Sequence, residues 1–174
     1  MQTSQTANVP SRFNAGPLAS PNFEILYLCE NPTLALEEVQ AQFHLPNGQI
    51  ISNPAHSWLI INVQVQLQAA VDLTDPATQQ LLETNAQELT GDWRGYHARK
   101  SHSSVPWPTG IAPTQQLGQA LCALPGLEGF QAISSKRSDH RMLAVFPKKL
   151  GTASWLRFVN PISNSVHTIP LRLA

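Results

Sequence analysis

Three stretches of this chain carry residue types that chemistry needs. Tyr27-Leu28-Cys29-Glu30-Asn31-Pro32-Thr33-Leu34-Ala35-Leu36-Glu37-Glu38-Val39 sets an aromatic hydroxyl and a pair of carboxylates on either side of a helix start. Arg12-Phe13-Asn14 lies a short way upstream, and Gly129-Phe130-Gln131-Ala132-Ile133-Ser134 ends in a serine far downstream. A guanidinium is a planar, always-charged fork for phosphate oxygens. A preorganised carboxylate stabilises positive charge that develops during a reaction. Such parts suit the handling of a charged dinucleotide.

These groups need rigid mounts, and the flanking sequence supplies them. Residues 23–28 form a short apolar run fit for a buried strand. Asn31-Pro32 then opens a helix, with Asn as N-cap and Pro in the first turn, where its missing N–H costs nothing. The helix is predicted to reach about residue 43, with Ala35, Leu36, Val39 and Phe43 on one face, before Leu45-Pro46-Asn47-Gly48 ends it. Residues 58–67 alternate, with Leu59, Ile61, Val63, Val65 and Leu67 on one side of a strand. Thr74 or Asp75 followed by Pro76 repeats the cap grammar for a helix over 76–84, and residues 85–89 suggest one more helical turn. A further helix is predicted over 114–124, and strands over 129–134, 142–146, 156–160 and 166–171. Residues 101–108 form a Ser/Pro-rich loop. This order lacks repeated βαβ units and argues for an α+β fold in a single domain. Residues 1–22 read as an irregular N-terminal segment and 23–174 as the folded domain.

Composition narrows the function classes. The 174 residues suffice for one hydrophobic core, and 42% of them are hydrophobic. Eleven acidic and eleven basic residues give zero net charge, so no footprint for direct nucleic-acid contact or an anionic membrane is visible. Charged residues make up only 13%, a charge-poor surface of the kind that a partner often covers. Cys29 and Cys122 read as small buried hydrophobes, not a disulfide framework. Without a signal-peptide pattern or a membrane-length apolar run, the chain reads as a soluble cytoplasmic protein. His44, His56, His97, His102, His140 and His167 show no metal-site spacing. No Gly-x-Ser-x-Gly, phosphate loop or Gly-x-Gly-x-x-Gly is present. Trp93, Trp107 and Trp155 read as core or interface residues.

The pattern resembles the RES domain family. Leu26-Tyr27-Leu28, the Asn-Pro turn and Ala35-Leu36-Glu37-Glu38-Val39 carry the strongest likeness. Ser11-Arg12-Phe13-Asn14 is similar to the family's Gly-Arg-Phe-Asn, and Gly129 with Ser134 matches its serine element. Asn53-Pro54, Val71-Asp72-Leu73 and Pro113-Thr114-Gln115-Gln116-Leu117-Gly118 also look familial, so the resemblance runs from Arg12 to about Phe146. It implies a fold related to ADP-ribosyltransferases, a mixed, strongly bent β-sheet with flanking helices. It also implies a toxin that destroys NAD+ by hydrolysis or phosphorolysis of the nicotinamide bond. NAD+ would be the substrate, with no cofactor and no metal. The expected partner is an antitoxin, commonly a helix-turn-helix protein, and homo-oligomerisation stays open. Family members carry a further arginine on a strand before the Arg-Phe-Asn segment. Only eleven residues precede Arg12 here, none of them arginine. Either the domain start lies outside this sequence, or the pocket has one phosphate-binding group fewer.

The resemblance places the family's glutamate on Glu38 and its tyrosine on Tyr27 as the catalytic pair, with Arg12, Asn14 and Ser134 holding the dinucleotide. Loss of nicotinamide leaves an oxocarbenium-like ribose, which the Glu38 carboxylate would stabilise. Taken alone, the residues allow plainer readings. Helical periodicity separates Glu38 only modestly from Glu37. Tyr27 also suits a core strand, Arg12 an exposed tail, and Ser134 a polar loop with Ser135, Lys136 and Arg137. Two further activities remain: transfer of ADP-ribose to a protein, and a catalytically silent binding domain of the same fold.

Overall fold

The computed structural model describes residues 3–45, 47–53, 58–98 and 110–170. Along the chain these form β1 (Leu26–Cys29), α1 (Pro32–Glu38), β2 (Gln42–His44), β3 (Ile50–Ser52), β4 (Asn62–Gln66), β5 (Ala70–Asp72), α2 (Pro76–Leu81), α3 (Ala86–Thr90), α4 (Gly95–Ala98), α5 (Pro113–Ala123), β6 (Gly129–Ile133), β7 (Arg141–Val145), β8 (Trp155–Val159) and β9 (Val166–Ile169). Pro46, Pro54, His56, the 101–108 loop with His102 and Trp107, and Leu171 lie outside the described residues.

A strand that is apolar on both faces needs cover on both. β7 is such a strand, and the architecture follows from it. Met142 and Ala144 point to one side, where they meet Phe13, Phe130, Phe146, Leu73, Leu89 and Leu121. Val145 and Leu143 point to the other, against Leu156, Phe158, Val63 and Val65. The central sheet has the order β1-β7-β6-β5, with β5 parallel to β6 and the other pairs antiparallel. One face carries α3, α5 and the N-terminal segment; the other carries an antiparallel sheet of order β4-β8-β9. β2 and β3 form a separate antiparallel ribbon. The fold is thus α+β in one domain, as expected. The expected strongly bent sheet is corrected: the central sheet is mixed but not strongly curled, and a second sheet packs on its far face. Among the described residues no helix is long and apolar enough to cross a membrane.

Two local expectations change. α1 stops at Glu38, not near residue 43: Gln40 takes a left-handed φ of 57° and Ala41 N–H bonds back to Leu36 O at 2.7 Å. Residues 42–44 then pair with 50–52, so a non-local ladder ends the helix. Its buried positions are Leu34 and Glu37, not the predicted apolar stripe. Likewise only 62–66 of the long alternating run form a strand.

The segment before β1 is irregular apart from two 3-10 turns, Ser4–Asn8 and Gly16–Leu18. It is nevertheless part of the core. Phe13 is fully buried, edge-on to Phe130 with ring centroids 4.9 Å apart. A buried carboxylate ties the two sheets together: Glu128 accepts from Gln68 N (2.7 Å), Ala69 N (3.3 Å), Gly151 N (2.7 Å) and Ser154 Oγ (2.8 Å).

Candidate active site

Arg12 sits in a tight turn closed by Ser11 and Asn14, whose backbones form a bridge with Ser11 N to Asn14 O at 2.7 Å. Three neighbours grip that turn. The wholly buried Gln115 on α5 donates from Nε2 to Ser11 O (2.8 Å) and Asn14 O (3.3 Å), while its Oε1 accepts from Ala112 N (3.1 Å). Gly118, one helical turn on, leaves no room for a side chain, since an added Cβ would lie 1.9 Å from Phe13 O. Tyr27 completes the grip: its hydroxyl pairs with Ser11 Oγ (2.7 Å) and accepts from Phe13 N (3.2 Å).

The guanidinium so placed is 9% exposed and reaches three groups. Nη1 donates to Ile133 O at 3.4 Å and approaches Met142 Sδ at 3.8 Å, and Nη2 lies 3.6 Å from Glu38 Oε2. Nε has no hydrogen-bond partner among the described residues. Burial lowers the Arg12 pKa, and the charge of Glu38 works against that shift.

Glu38 is the last residue of α1, where exposed carbonyls disfavour a carboxylate. Two groups hold it there, Arg12 and Ser134. Ser134 Oγ donates to Glu38 Oε1 at 2.5 Å. The same oxygen accepts from Lys136 N (3.1 Å) and Arg137 N (3.2 Å), so the hydroxyl is fully engaged. Arg12, Glu38 and Ser134 therefore meet from three distant parts of the chain.

A match to the family model described as RES domain spans residues 2–156. This chain belongs to the RES domain family. No match was found among curated proteins.

Two clefts meet at Glu38 in this RES domain, and both are lined by Tyr27, Cys29, Glu38, Val39 and Met142. The larger, of about 640 Å³, is walled mainly by apolar side chains such as Leu36, Trp58, Ile60 and Leu143. The smaller, of about 410 Å³, gathers Arg12, Arg94 and Lys136 with Asp92 and Trp93. Glu37 faces elsewhere, bound through both carboxylate oxygens to Arg137 at 2.8 and 2.9 Å.

Two RES residues stand differently from the sequence expectation. Asn14 is fully buried, with Nδ2 donating to Thr6 O (3.2 Å) and Phe23 O (3.0 Å) and Oδ1 accepting from Gly16 N (2.9 Å). From this fully buried position it orders the turn that carries Arg12. Ser134, 1% exposed, stands behind Glu38, not in the cleft. Burial raises the Tyr27 pKa to about 12, so its hydroxyl stays protonated at neutral pH while the ring borders both clefts. Burial, helped by Glu38 and Glu30, likewise raises Cys29 to about 11. Gln115, Gly118, Trp93 and Arg94 were missed as site residues. Only the glycine inside a helical pattern signalled close backbone approach.

Proposed function

We propose that this RES domain breaks the nicotinamide–ribose bond of NAD+, with water or inorganic phosphate as acceptor. The carrying observation is the union of Arg12, Glu38 and Ser134 at the junction of two clefts, one cationic and one apolar. A dinucleotide has the matching shape, with flat rings at either end of a charged diphosphate. The bond from C1′ of the ribose to the nicotinamide nitrogen breaks, and its electron pair leaves with nicotinamide as a neutral ring. Glu38 stabilises the resulting ribosyl cation. Water adds to C1′ and loses a proton to give ADP-ribose, or phosphate oxygen adds to give the 1-phosphate. Tyr27 offers its ring face to nicotinamide or ribose and holds the Arg12 turn.

The family's association with NAD+-degrading toxins supports the reading. It also supports an antitoxin partner, commonly of helix-turn-helix type. Val39, Trp58, Leu59 and Ile60, between 39% and 54% exposed, line the larger cleft and provide an apolar surface for such a partner.

Purified protein incubated with NAD+, with and without phosphate, is expected to release nicotinamide together with ADP-ribose or its 1-phosphate. Glu38→Gln is expected to reduce the rate by about a hundredfold or more. Unchanged turnover in that variant overturns the catalytic assignment. Labelled ADP-ribose on a protein identifies a transferase, and no NAD+ loss leaves the domain as a binding module.

A further inference from the structure

We propose that Arg94, stacked on Trp93, binds phosphate oxygens in the smaller cleft; the ligand class rests on the dinucleotide reading of that cleft. The lining groups that carry charge are Arg12, Arg94 and Lys136 against Glu38 and Asp92. These cations are not equivalent. Arg12 is buried and lies against Glu38, so part of its charge is already answered. Asp92 uses Oδ1 to accept from the backbone N–H of Arg94 at 3.0 Å, which shapes the turn at Trp93. The Arg94 guanidinium is exposed and has no carboxylate partner among the described residues. Its Cζ lies 4.8 Å from the Trp93 ring centroid.

A guanidinium lying on an indole is held by attraction to the ring face while its N–H edges stay free. Such a group is oriented before a ligand arrives, which cuts the ordering cost of binding. Arg94 is also near enough to Arg12 to disfavour its charged form, an effect opposite in sign to that of Glu38. Two cations sharing one cleft repel until an anion enters between them. Lys136 lines the same cleft with an exposed side chain. Its backbone N–H donates to Ser134 Oγ, so the anion site and the Glu38 support share one loop.

Two sources fit the chemistry: the diphosphate of the dinucleotide and free phosphate serving as acceptor. The test uses the full chain, with Arg94→Ala and with Arg94→Gln as a variant that keeps a flat polar group on Trp93. Calorimetry with inorganic pyrophosphate, ADP-ribose and inorganic phosphate is read beside NAD+ and nicotinamide riboside turnover. Losing a charge-assisted contact is expected to weaken pyrophosphate and ADP-ribose binding roughly ten- to hundredfold. The KM for NAD+ is expected to rise by a similar factor with kcat within about twofold, and nicotinamide riboside turnover to stay unchanged. A defect confined to inorganic phosphate binding and to phosphate-dependent turnover assigns the site to the acceptor. Wild-type protein that binds pyrophosphate through Arg94 yet cleaves no NAD+ supports the anion site and overturns the NAD+ reading. Unchanged binding of all three anions in folded variants overturns the proposal, as does wild-type protein that binds none of them.

Discussion

Ser134 Oγ donates a 2.5 Å hydrogen bond to one oxygen of Glu38, while Arg12 Nη2 stands 3.6 Å from the other. The two backbone amides that donate to Ser134 aim its proton at the carboxylate. Ser134 is thereby a positioning residue, and its loss acts through Glu38. Ser134→Ala is expected to lower kcat for NAD+ cleavage roughly ten- to hundredfold, the scale of a hydrogen bond to a charged group. KM is expected to change much less, and Ser134→Thr to restore part of the rate. Steady-state kinetics decide the matter: a raised KM with normal kcat means that Ser134 touches the dinucleotide itself.

Gln115 controls Arg12 from the opposite side of the cleft wall. Gln115→Leu keeps the bulk but strands the amide of Ala112, and leaves the carbonyls of Ser11 and Asn14 only the bonds they accept from each other's amides. Buried groups left unpaired cost about 1–3 kcal/mol each where water cannot reach them. The melting temperature is expected to fall by roughly 5–15 °C. At a temperature where the variant is folded, calorimetry is expected to show weaker ADP-ribose binding, because Arg12 is no longer fixed. Gly118→Ala is expected to do the same by pushing α5 away from Phe13 O. Normal ligand binding in both folded variants disconnects α5 from the site.

Strand positions were legible where period and burial agree. The near-continuous apolar run of β7 reports a strand covered on both faces, and Pro32 and Pro76 marked helix starts that the local caps Asn31 and Asp75 decide. The end of α1 was not legible, because it depends on Gln42–His44 pairing with a strand six residues beyond it. The site divides along the same line. The resemblance placed Tyr27 and Glu38 in the candidate site on a short-range pattern, whereas the different surroundings of Glu38 and Glu37 come from Ser134 and Arg137, about a hundred residues away. Nothing local to Trp93-Arg94 or Gln115 says that a distant cleft or turn will lie against them.

Cys29 is a reporter of the Glu38 charge. Burial first, then Glu38 and Glu30, raise its pKa to about 11 from an ordinary 9.0. The thiolate is the reactive form, so alkylation at pH 8 is expected to run about a hundredfold slower than for a free thiol. Glu38→Gln removes one of the two negative charges and is expected to speed the reaction measurably. Peptide mass spectrometry after timed iodoacetamide treatment separates Cys29 from Cys122, whose thiol burial also raises. Cys29 labelling at the free-thiol rate in native protein contradicts this arrangement of charge.

Protonation of Glu128 is expected to weaken the fold in acid. Desolvation favours its neutral form, but donors from Gly151, Ser154, Gln68 and Ala69 outweigh that and lower the pKa below 4.5. Glu24 is lowered too, with desolvation outweighed by Thr3 and Lys148. A carboxylate with a depressed folded pKa contributes stability that is fully present above the unfolded value and is lost as pH falls through the folded one. Urea midpoints are therefore expected to stay level from neutral pH to about pH 5.5 and to fall below pH 4.5. Glu128→Gln replaces an acceptor ringed by donors with a group that donates from one side. It is expected to cost roughly 2–4 kcal/mol at pH 7, where the wild-type carboxylate is ionised. The gap between variant and wild type should then narrow as pH drops, since protonation removes from the wild type what the substitution has already removed. A gap that stays constant from pH 7 to pH 3 means that Glu128 does not owe its stabilising role to its charge.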